Sequence, residues 1–354
     1  MRSQRGGFPW RTVPVALAVM ISLVALASAP AAHAQTGAEP QAEMEAEMQA
    51  EAKSMRLFIS PHPDDEMEGW AAVDEVRPSA YTVFITLTHG EATGYCQPAV
   101  LAVSLQADLG ERPPNPTPAG KFSPTCAQAR IDSWLAFHDG AAAVTSSAKI
   151  GAAAGTTLTL GPVPGLPQPT NPHASIGATR AQAWIGPRGA RLALDLGDGN
   201  LTTAEVQWAI KAVLALRGGA LPNLPLSTMI AASYVNKADD GAIPYAHPDH
   251  IAETDAVKSL AGLAGDGGVW IATSPYDDRA DEAFTLSKSD YKVLMGVSST
   301  LQKRKGAHQV AFGWLTRGYW PTGKLPLAET EVIFPRQATF RYVSNPGSAG
   351  QPPA

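Results

Sequence analysis

The segment "MRLFISPHPDDE" (Met55–Glu66) carries the clearest structural signal in the chain. Its first half, Met55–Ser60, is a short, largely apolar run of the kind that forms a buried strand. A histidine between two prolines follows directly, and then three consecutive carboxylates. Ligands of an open α/β sheet bind beyond the carboxyl ends of its strands. The segment therefore predicts a strand that delivers ionisable side chains to a binding site.

Strand and helix patterns alternate through the rest of the chain. Such alternation is typical of a Rossmann-like α/β fold, with a mainly parallel sheet and helices on both faces. The Gly/Pro-rich residues 150–190 break the pattern and are interpreted as an insertion at the sheet edge. The predicted strands are 55–60, 81–89, 191–197, 227–235 and 269–274, and the predicted helices are 66–76, 128–137, 202–217, 248–264 and 289–303.

Residues 1–34 have the pattern of a secretory signal peptide. Three arginines precede an apolar run, and "AHA" (Ala32–Ala34) places small residues before a cleavage position near Ala34–Gln35. An uncleaved membrane anchor is the alternative. No later segment is long and apolar enough to cross a membrane. The pattern predicts a secreted or extracytoplasmic protein with no stable membrane insertion after cleavage.

The remaining chain divides into three parts by composition. An acidic Ala/Glu-rich linker is expected at 35–54, a single α/β domain at 55–343 and a disordered tail at 344–354. The two cysteines, Cys96 and Cys126, flank a proline-rich loop. In an oxidising compartment they predict a disulfide that closes this loop, with two buried thiols as the alternative.

The overall charge of the chain indicates which kinds of partner it is suited to bind. The chain has 27 Lys and Arg residues against 32 Asp and Glu residues, a net charge of −5. Nucleic-acid binders usually show a basic patch or stripe. The mild acidity therefore argues against nucleic acid as a partner.

A second polar cluster, "YAHPDH" (Tyr245–His250), follows the strand predicted at 227–235. Either cluster alone suits a turn with solvated acids. Together, each after a buried strand, they predict a metal site in which His62, Asp65 and His250 are the ligands. Two imidazoles and one carboxylate leave an open position for water, which is the pattern of catalytic zinc. Zinc would lower the pKa of that water and polarise a carbonyl.

The neighbours of these ligands have the residue types that hydrolysis needs. Asp64 is placed to accept the proton of the water as general base. His247 could protonate a leaving amine or stabilise an oxyanion, and Asp249 could hydrogen-bond His247 and keep it charged. Tyr245 could lend its hydroxyl to the oxyanion. Glu66 is expected to open the following helix.

These motifs resemble the PIG-L / LmbE-like family of zinc-dependent N-acetylglucosaminyl deacetylases. That family shows (A/P)HPDDE after its first strand and HPDH much later, and "LTHGEATG" (Leu87–Gly94) is similar to its Gly-Glu loop. The resemblance covers about Arg56 to Arg304 and implies an LmbE-like fold with zinc, or another divalent metal, as cofactor. Carried over by position, the ligands are His62, Asp65 and His250, the general base is Asp64, and His247 is the acid or oxyanion stabiliser, oriented by Asp249.

The resemblance implies two further site residues. Tyr245 matches a mobile active-site tyrosine of some members, and Arg130 matches an arginine that can face substrate. The family often has Glu three residues after this arginine, where the chain has Ser133.

The resemblance and the predicted export together imply an acetamido-sugar substrate. The expected reaction removes the N-acetyl group from a GlcNAc-type sugar in a glycan, a glycolipid or a glycosylated metabolite such as a glycopeptide antibiotic. One alternative is an amidase with the same machinery and a larger amide substrate. The other is a non-catalytic carbohydrate-binding protein with a structural metal.

Overall fold

The computed structural model describes residues 52–76, 78–100, 117–232, 247–273, 282–297, 304–305 and 336–342. The predicted signal peptide, most of the linker, the predicted tail and Tyr245 lie outside these ranges. Within the part of the chain that is described, no helix has the length and apolar character needed to cross a membrane.

Nine of the described strands form one sheet in the order β3-β4-β5-β2-β1-β6-β7-β11-β8. The short strands β9 and β10 pair with each other in a separate ribbon. The strands are β1 Met55–Ser60, β2 Tyr81–Thr86, β3 Gly155–Thr159, β4 Arg180–Gly186, β5 Gly189–Leu194, β6 Leu226–Ala231, β7 Val269–Thr273, β8 Glu282–Thr285, β9 Gly296–Val297, β10 Arg304–Lys305 and β11 Arg336–Tyr342.

The centre of the sheet is parallel and its edges are antiparallel. Strand β1 lies between β2 and β6, and Phe58 is in register with Phe84 on one side and with Ile230 on the other. The parallel set continues to β5 and β7. Residues 150–190 contribute β3 and β4, which extend one edge in the antiparallel direction. The predicted mainly parallel α/β fold is confirmed.

Helices cover both faces of this sheet. The helices are α1 Glu66–Gly69, α2 Pro124–Ala141, α3 Thr203–Leu214, α4 Pro248–Ser259 and α5 Lys288–Met295. Successive strand residues point to opposite faces. Leu57 accordingly belongs to the apolar cluster that includes α3 and α4, whereas Phe58 belongs to the cluster that includes α2 and Leu294 of α5. Thr202 and Glu205 form a capping box at the start of α3.

Helices α1, α3, α4 and α5 all end before the residue that the sequence predicts. In α1 and α5 a glycine stands at the change. Helix α1 begins at Glu66 as expected, but it ends at Gly69 and gives way to a 3₁₀ turn at Trp70–Ala72. Helix α5 ends at Met295, where Gly296 begins β9. Glycine has low helix propensity because it loses the most backbone freedom on ordering.

Candidate metal centre and active site

The candidate site lies at the carboxyl edge of the parallel strands. The loop after β1 carries His62, Asp64 and Asp65, and the loop after β5 carries Asp198. His247 is the N-cap of α4, and His250 lies in the first turn of that helix. Because β1, β2, β5 and β6 run in the same direction, their following loops meet at one edge, and this convergence brings both sequence motifs together.

The three predicted metal ligands converge in a buried group. Oδ2 of Asp65 lies 2.7 Å from Nδ1 of His62 and 3.2 Å from Nε2 of His250. One ligand atom from each of the three residues falls within 4.8 Å of the other two. Two imidazole nitrogens and one carboxylate oxygen are a donor set that zinc accepts, with room for a further ligand. The residues present therefore fit a zinc ion or a similar divalent metal.

The charge state of this group links metal binding to the release of a proton. Burial would raise the pKa of Asp65, but His250 and His62 outweigh it and hold the pKa of this carboxyl well below its usual range. Burial likewise opposes protonation of His62, yet Asp65 and Asp198 raise the pKa of this imidazole well above its usual range. In the metal-free protein an ionised Asp65 therefore faces a protonated His62, and a metal at Nδ1 must displace the proton of that nitrogen.

The second nitrogen of His62 faces two further carboxylates. Nε2 lies 3.0 Å from Oδ2 of Asp249 and 3.2 Å from Oδ1 of Asp198. An imidazole that binds metal through Nδ1 carries its proton on Nε2 and usually donates it to a carboxylate, a backbone carbonyl or water. The group formed by His62, Asp198, His247 and Asp249 is thus best understood as the support of the ligand His62.

Asp198 is a site residue that the sequence analysis missed. It lies in the half-buried turn "GDGN" after β5, and its Oδ2 accepts the backbone N–H of Ala92 at 2.6 Å. Burial would raise its pKa, but His62 lowers the pKa of Asp198 to about 2. Its position could have indicated this role, because the turn that contains Asp198 follows a strand that ends at the same edge of the sheet as β1.

Asp249 has a different set of contacts from the one that the sequence suggests. Its fully buried carboxylate accepts the backbone N–H groups of Gly199 at 2.7 Å and Leu201 at 2.9 Å, in addition to facing His62. Its own backbone N–H donates to Nδ1 of His247 at 3.3 Å. The described contacts of the Asp249 side chain thus support His62, and its orienting role towards His247 stays a prediction.

His247 lies beside the two imidazoles of the predicted metal ligands. Its ring centroid lies 4.9 Å from that of His62 and 5.5 Å from that of His250. Burial and the nearby charge of His62 lower the pKa of His247, although Asp249 acts in the opposite direction. The imidazole is therefore neutral at pH 7 in the metal-free protein, whereas the sequence suggests a charged one.

The predicted base Asp64 is held by Arg130. The guanidinium donates from Nη1 to Oδ2 at 2.8 Å and from Nη2 to Oδ1 at 2.5 Å, with both side chains buried. Gly90, at φ +64°, lies so close that a Cβ there would be 2.4 Å from Nη2 of Arg130. The motif resemblance implies a substrate-binding role for Arg130, which stays a prediction. In the structure its guanidinium fixes the direction of the Asp64 carboxylate.

Two elements frame the site on the side of β2 and β5. The oxygens of Glu91 have no hydrogen-bond partner among the described residues, and burial, together with Asp198, raises the pKa of Glu91 to about 7. Asp195 accepts the hydroxyl of Ser175 at 3.1 Å, so the insertion at 150–190 reaches this edge. The loop that follows Glu91 is joined to the start of α2 by the disulfide between Cys96 and Cys126, whose Cα atoms are 5.5 Å apart.

Comparisons with known proteins place few constraints on the chain. No protein-family model and no curated protein matches it. Among solved structures it is similar to an N,N'-diacetylchitobiose deacetylase from Pyrococcus horikoshii, with a TM-score of 0.37 and 12% identity over 86% of this chain and 92% of that one.

Two further solved structures are similar at the same level. One is a deacetylase in the biosynthesis pathway of teicoplanin, with a TM-score of 0.34 and 14% identity over 68% of this chain and 80% of that one. The other is the zinc-inhibited form of teicoplanin deacetylase Orf2, with a TM-score of 0.31 and 16% identity over 69% of this chain and 87% of that one. Because TM-scores this low do not establish a common fold, the α/β fold of this chain rests on its own strand order.

Proposed function

We propose that the chain is a metal-dependent hydrolase that removes the N-acetyl group from a 2-acetamido sugar. The observation that carries the proposal is the buried convergence of His62, Asp65 and His250 with Asp64 beside them in sequence. The class of substrate follows from the resemblance of the HPDDE and HPDH motifs to zinc-dependent N-deacetylases. A purely structural metal site gains nothing from a spare carboxylate and an open ligand position.

Each residue of the candidate site has a separate role in the proposed hydrolysis. A divalent metal held by His62, Asp65 and His250 would lower the pKa of a water and polarise the acetyl carbonyl. Asp64 accepts the proton of that water as general base and returns it to the leaving amine. Arg130 keeps the carboxylate of Asp64 in one orientation through its two hydrogen bonds.

His247 is suited to stabilise the oxyanion in its neutral form. Its Nδ1 accepts the backbone N–H of Asp249, so the ring proton is on Nε2. A neutral imidazole with a proton on Nε2 can donate a hydrogen bond to the oxygen on which charge develops. This role needs no positive charge on the ring, and it therefore agrees with the lowered pKa of His247.

The charge around the site disfavours an anionic substrate. Glu91, Asp195 and Asp198 lie on the side of β2 and β5, and all three carry buried carboxyl groups. Ionised carboxylates beside a site repel phosphates and other anions. This disfavours a phosphoester and is compatible with a neutral sugar.

We also propose that the 150–190 insertion and the proline-rich loop shape the acceptor side of the site. Phe122 of that loop, at φ +57°, stacks on His173 of the insertion with ring centroids 4.6 Å apart. Replacing the pair by Phe122→Ala and His173→Ala should raise the KM for extended substrates and leave N-acetylglucosamine unaffected. Unchanged preference among substrates would contradict the proposal.

Export is part of the proposal. It is supported by the signal-peptide pattern of residues 1–34, and a disulfide suits an oxidising compartment. Sequencing the N-terminus of the mature protein tests it, with Gln35 as the expected first residue. A mature protein that still begins at Met1 would favour the membrane-anchor alternative.

The deciding experiment measures acetate release from five substrates. They are N-acetylglucosamine, N,N'-diacetylchitobiose, a muropeptide, a GlcNAc-glycolipid and a GlcNAc-bearing glycopeptide. The parent chain, the metal-stripped chain and Asp64→Asn are compared, with bound metal measured in each. We expect metal-dependent release that falls by about 10²–10⁴-fold in Asp64→Asn while metal stays bound. No release from any substrate, with metal bound to the parent chain, would favour the larger-amide amidase or the structural-metal alternative.

A further inference from the structure

Two glutamates are buried beside the predicted metal ligands. Glu68 belongs to α1 and is 4% exposed, and Glu253 belongs to α4 and is 0% exposed. None of their four carboxylate oxygens has a hydrogen-bond partner among the described residues. Buried polar groups are almost always hydrogen-bonded, because an unpaired one loses its contacts with water without replacement. A pair of such carboxylates beside a metal site therefore calls for a function.

Glu68 faces the outer nitrogen of His250. Its Oε2 lies 3.7 Å from Nδ1 of His250, and the two side chains are 2% and 0% exposed. The other nitrogen, Nε2, lies 3.2 Å from Oδ2 of Asp65 and therefore points to the metal group. If Nε2 binds the metal, the ring proton must be on Nδ1. That proton then points to Glu68, which needs to move by less than 1 Å to accept a hydrogen bond of about 2.9 Å.

We propose that Glu68 is the positioning residue of His250, accepting the Nδ1–H of this imidazole when a divalent metal is held at Nε2. The contact fixes the tautomer and the orientation of the ring and makes it a stronger donor to the metal. The inference rests on the proposed metal-dependent function, and it adds a residue outside both sequence motifs. It also gives both imidazole ligands a carboxylate on the nitrogen that faces away from the metal.

Glu253 provides a matched control for this role. It is as deeply buried as Glu68, its carboxylate also has no hydrogen-bond partner in the described part of the chain, and it lies one turn after His250 on the same helix. Burial and the charge of Asp65 raise the pKa of Glu253 well above its usual range, while His62 acts in the opposite direction. A general effect of removing a buried charge should appear in variants of both glutamates, whereas loss of a partner for His250 should appear only in variants of Glu68.

The test measures zinc affinity of the purified, metal-stripped chain by competition with a chromophoric chelator. The variants are Glu68→Leu, Glu68→Gln and Glu253→Gln. We expect Glu68→Leu to weaken zinc binding by about 10–100-fold, as loss of a carboxylate behind a metal-bound imidazole usually does. Glu68→Gln keeps an acceptor oxygen and should lose less. Glu253→Gln should stay close to the parent chain.

A second measurement separates positioning from a change in folding. The ligand-field absorption of cobalt(II) bound to the chain should change in Glu68→Leu and stay the same in Glu253→Gln, because it reports the donor strength and geometry of the ligands. Circular dichroism confirms that each variant is folded, and if Glu68→Leu does not fold, Glu68→Gln decides the outcome.

Three outcomes overturn the inference. Parent-like zinc affinity in the Glu68 variants would show that His250 needs no support from this residue. Equal losses in Glu68→Gln and Glu253→Gln would show a general effect of buried charge. A parent chain that binds no divalent metal would overturn the inference together with the proposed function, whereas the first two outcomes leave the proposed function intact.

Discussion

The two imidazoles of the candidate metal centre are supported in different ways. Behind His62, Asp249 accepts two backbone N–H groups and Asp198 accepts one, so both carboxylates are held independently of the ring. Behind His250, neither oxygen of Glu68 has a hydrogen-bond partner among the described residues.

The pKa values follow the same division. His62 holds the pKa of Asp198 at about 2 against the effect of burial, whereas burial, together with Asp65 and Glu253, raises the pKa of Glu68 well above its usual range. Backbone donors can keep a carboxylate ionised and in place before any ligand binds. The His62 half of the site is thus preformed, whereas Glu68 in the His250 half would gain its hydrogen bond only in the proposed metal-bound state.

The largest expected difference between the halves concerns stability. Asp249→Ala removes the acceptor of the Gly199 and Leu201 N–H groups and should destabilise the metal-free chain by about 3 kcal/mol. Glu68→Leu removes a buried carboxylate that has no hydrogen-bond partner in the described residues, so it should leave stability unchanged or raise it. Urea unfolding at pH 7 measures both. Equal losses would remove the distinction between a preformed half and a metal-dependent half.

Glu91 is a third buried carboxyl at this edge, and burial together with Asp198 raises its pKa. Its folded pKa of about 7 exceeds the ordinary 4.5, so its contribution to stability is present below pH 4.5 and is lost as the pH rises through 7. The side chain of Glu91→Gln cannot ionise, so this variant does not lose stability as the pH rises. It should be more stable than the parent chain by about 2–3 kcal/mol at pH 8.

The stability advantage of Glu91→Gln should vanish at pH 4, where Glu91 of the parent chain is mostly protonated in both the folded and the unfolded protein. Urea unfolding of both chains at the two pH values is the measurement. A gain of the same size at pH 4 and pH 8 would mean that packing, and not ionisation, separates the two chains.

The smallest expected effect concerns Asp64, a carboxylate held by a side chain and not by the backbone. Arg130→Lys replaces two directed N–H donors by a single ammonium group, which cannot reproduce a bidentate pair. We expect kcat to fall about tenfold with KM unchanged, because the base loses its fixed direction. Gly90→Ala, whose Cβ would displace the same guanidinium, should lower kcat in the same way.

Steady-state kinetics on the substrate found by acetate release distinguishes the two roles of Arg130. A rise in KM at constant kcat would restore the substrate-binding role that the motif resemblance implies.

The sequence predicts the parts of this site that depend on local pattern and on strand direction. The apolar runs before His62 and before the HPDH motif mark two strands, and parallel strands place their following loops at one edge. That reasoning brings His62, Asp65 and His250 together without any knowledge of the contacts. The capping box at Thr202 is likewise a purely local signal, and it is present.

Contacts between distant loops could not be predicted in this way. "GDGN" has the composition of an ordinary turn, so only the order of β5, β2 and β1 reveals that Asp198 faces His62. In sequence Glu68 is one more acidic residue of a helix, and its burial follows from the way α1 packs against β7 and β11 of the sheet. Arg130 has the residue type of a substrate-binding group, and its pairing with Asp64 depends on the position of α2 above Gly90.

The adjacency of β1 and β6 makes completion of the candidate metal site a late event in folding. Asp249 and His62 are in contact although 187 positions separate them in the chain. Contacts of such long range form only after the intervening strands and helices have paid the entropy of loop closure. Until β6 and α4 dock, the chain offers His62 and Asp65 without His250. Completion of the candidate site therefore requires that β6 and α4 are in place, and a nascent or truncated chain that ends before β6 offers only two of the three predicted ligands.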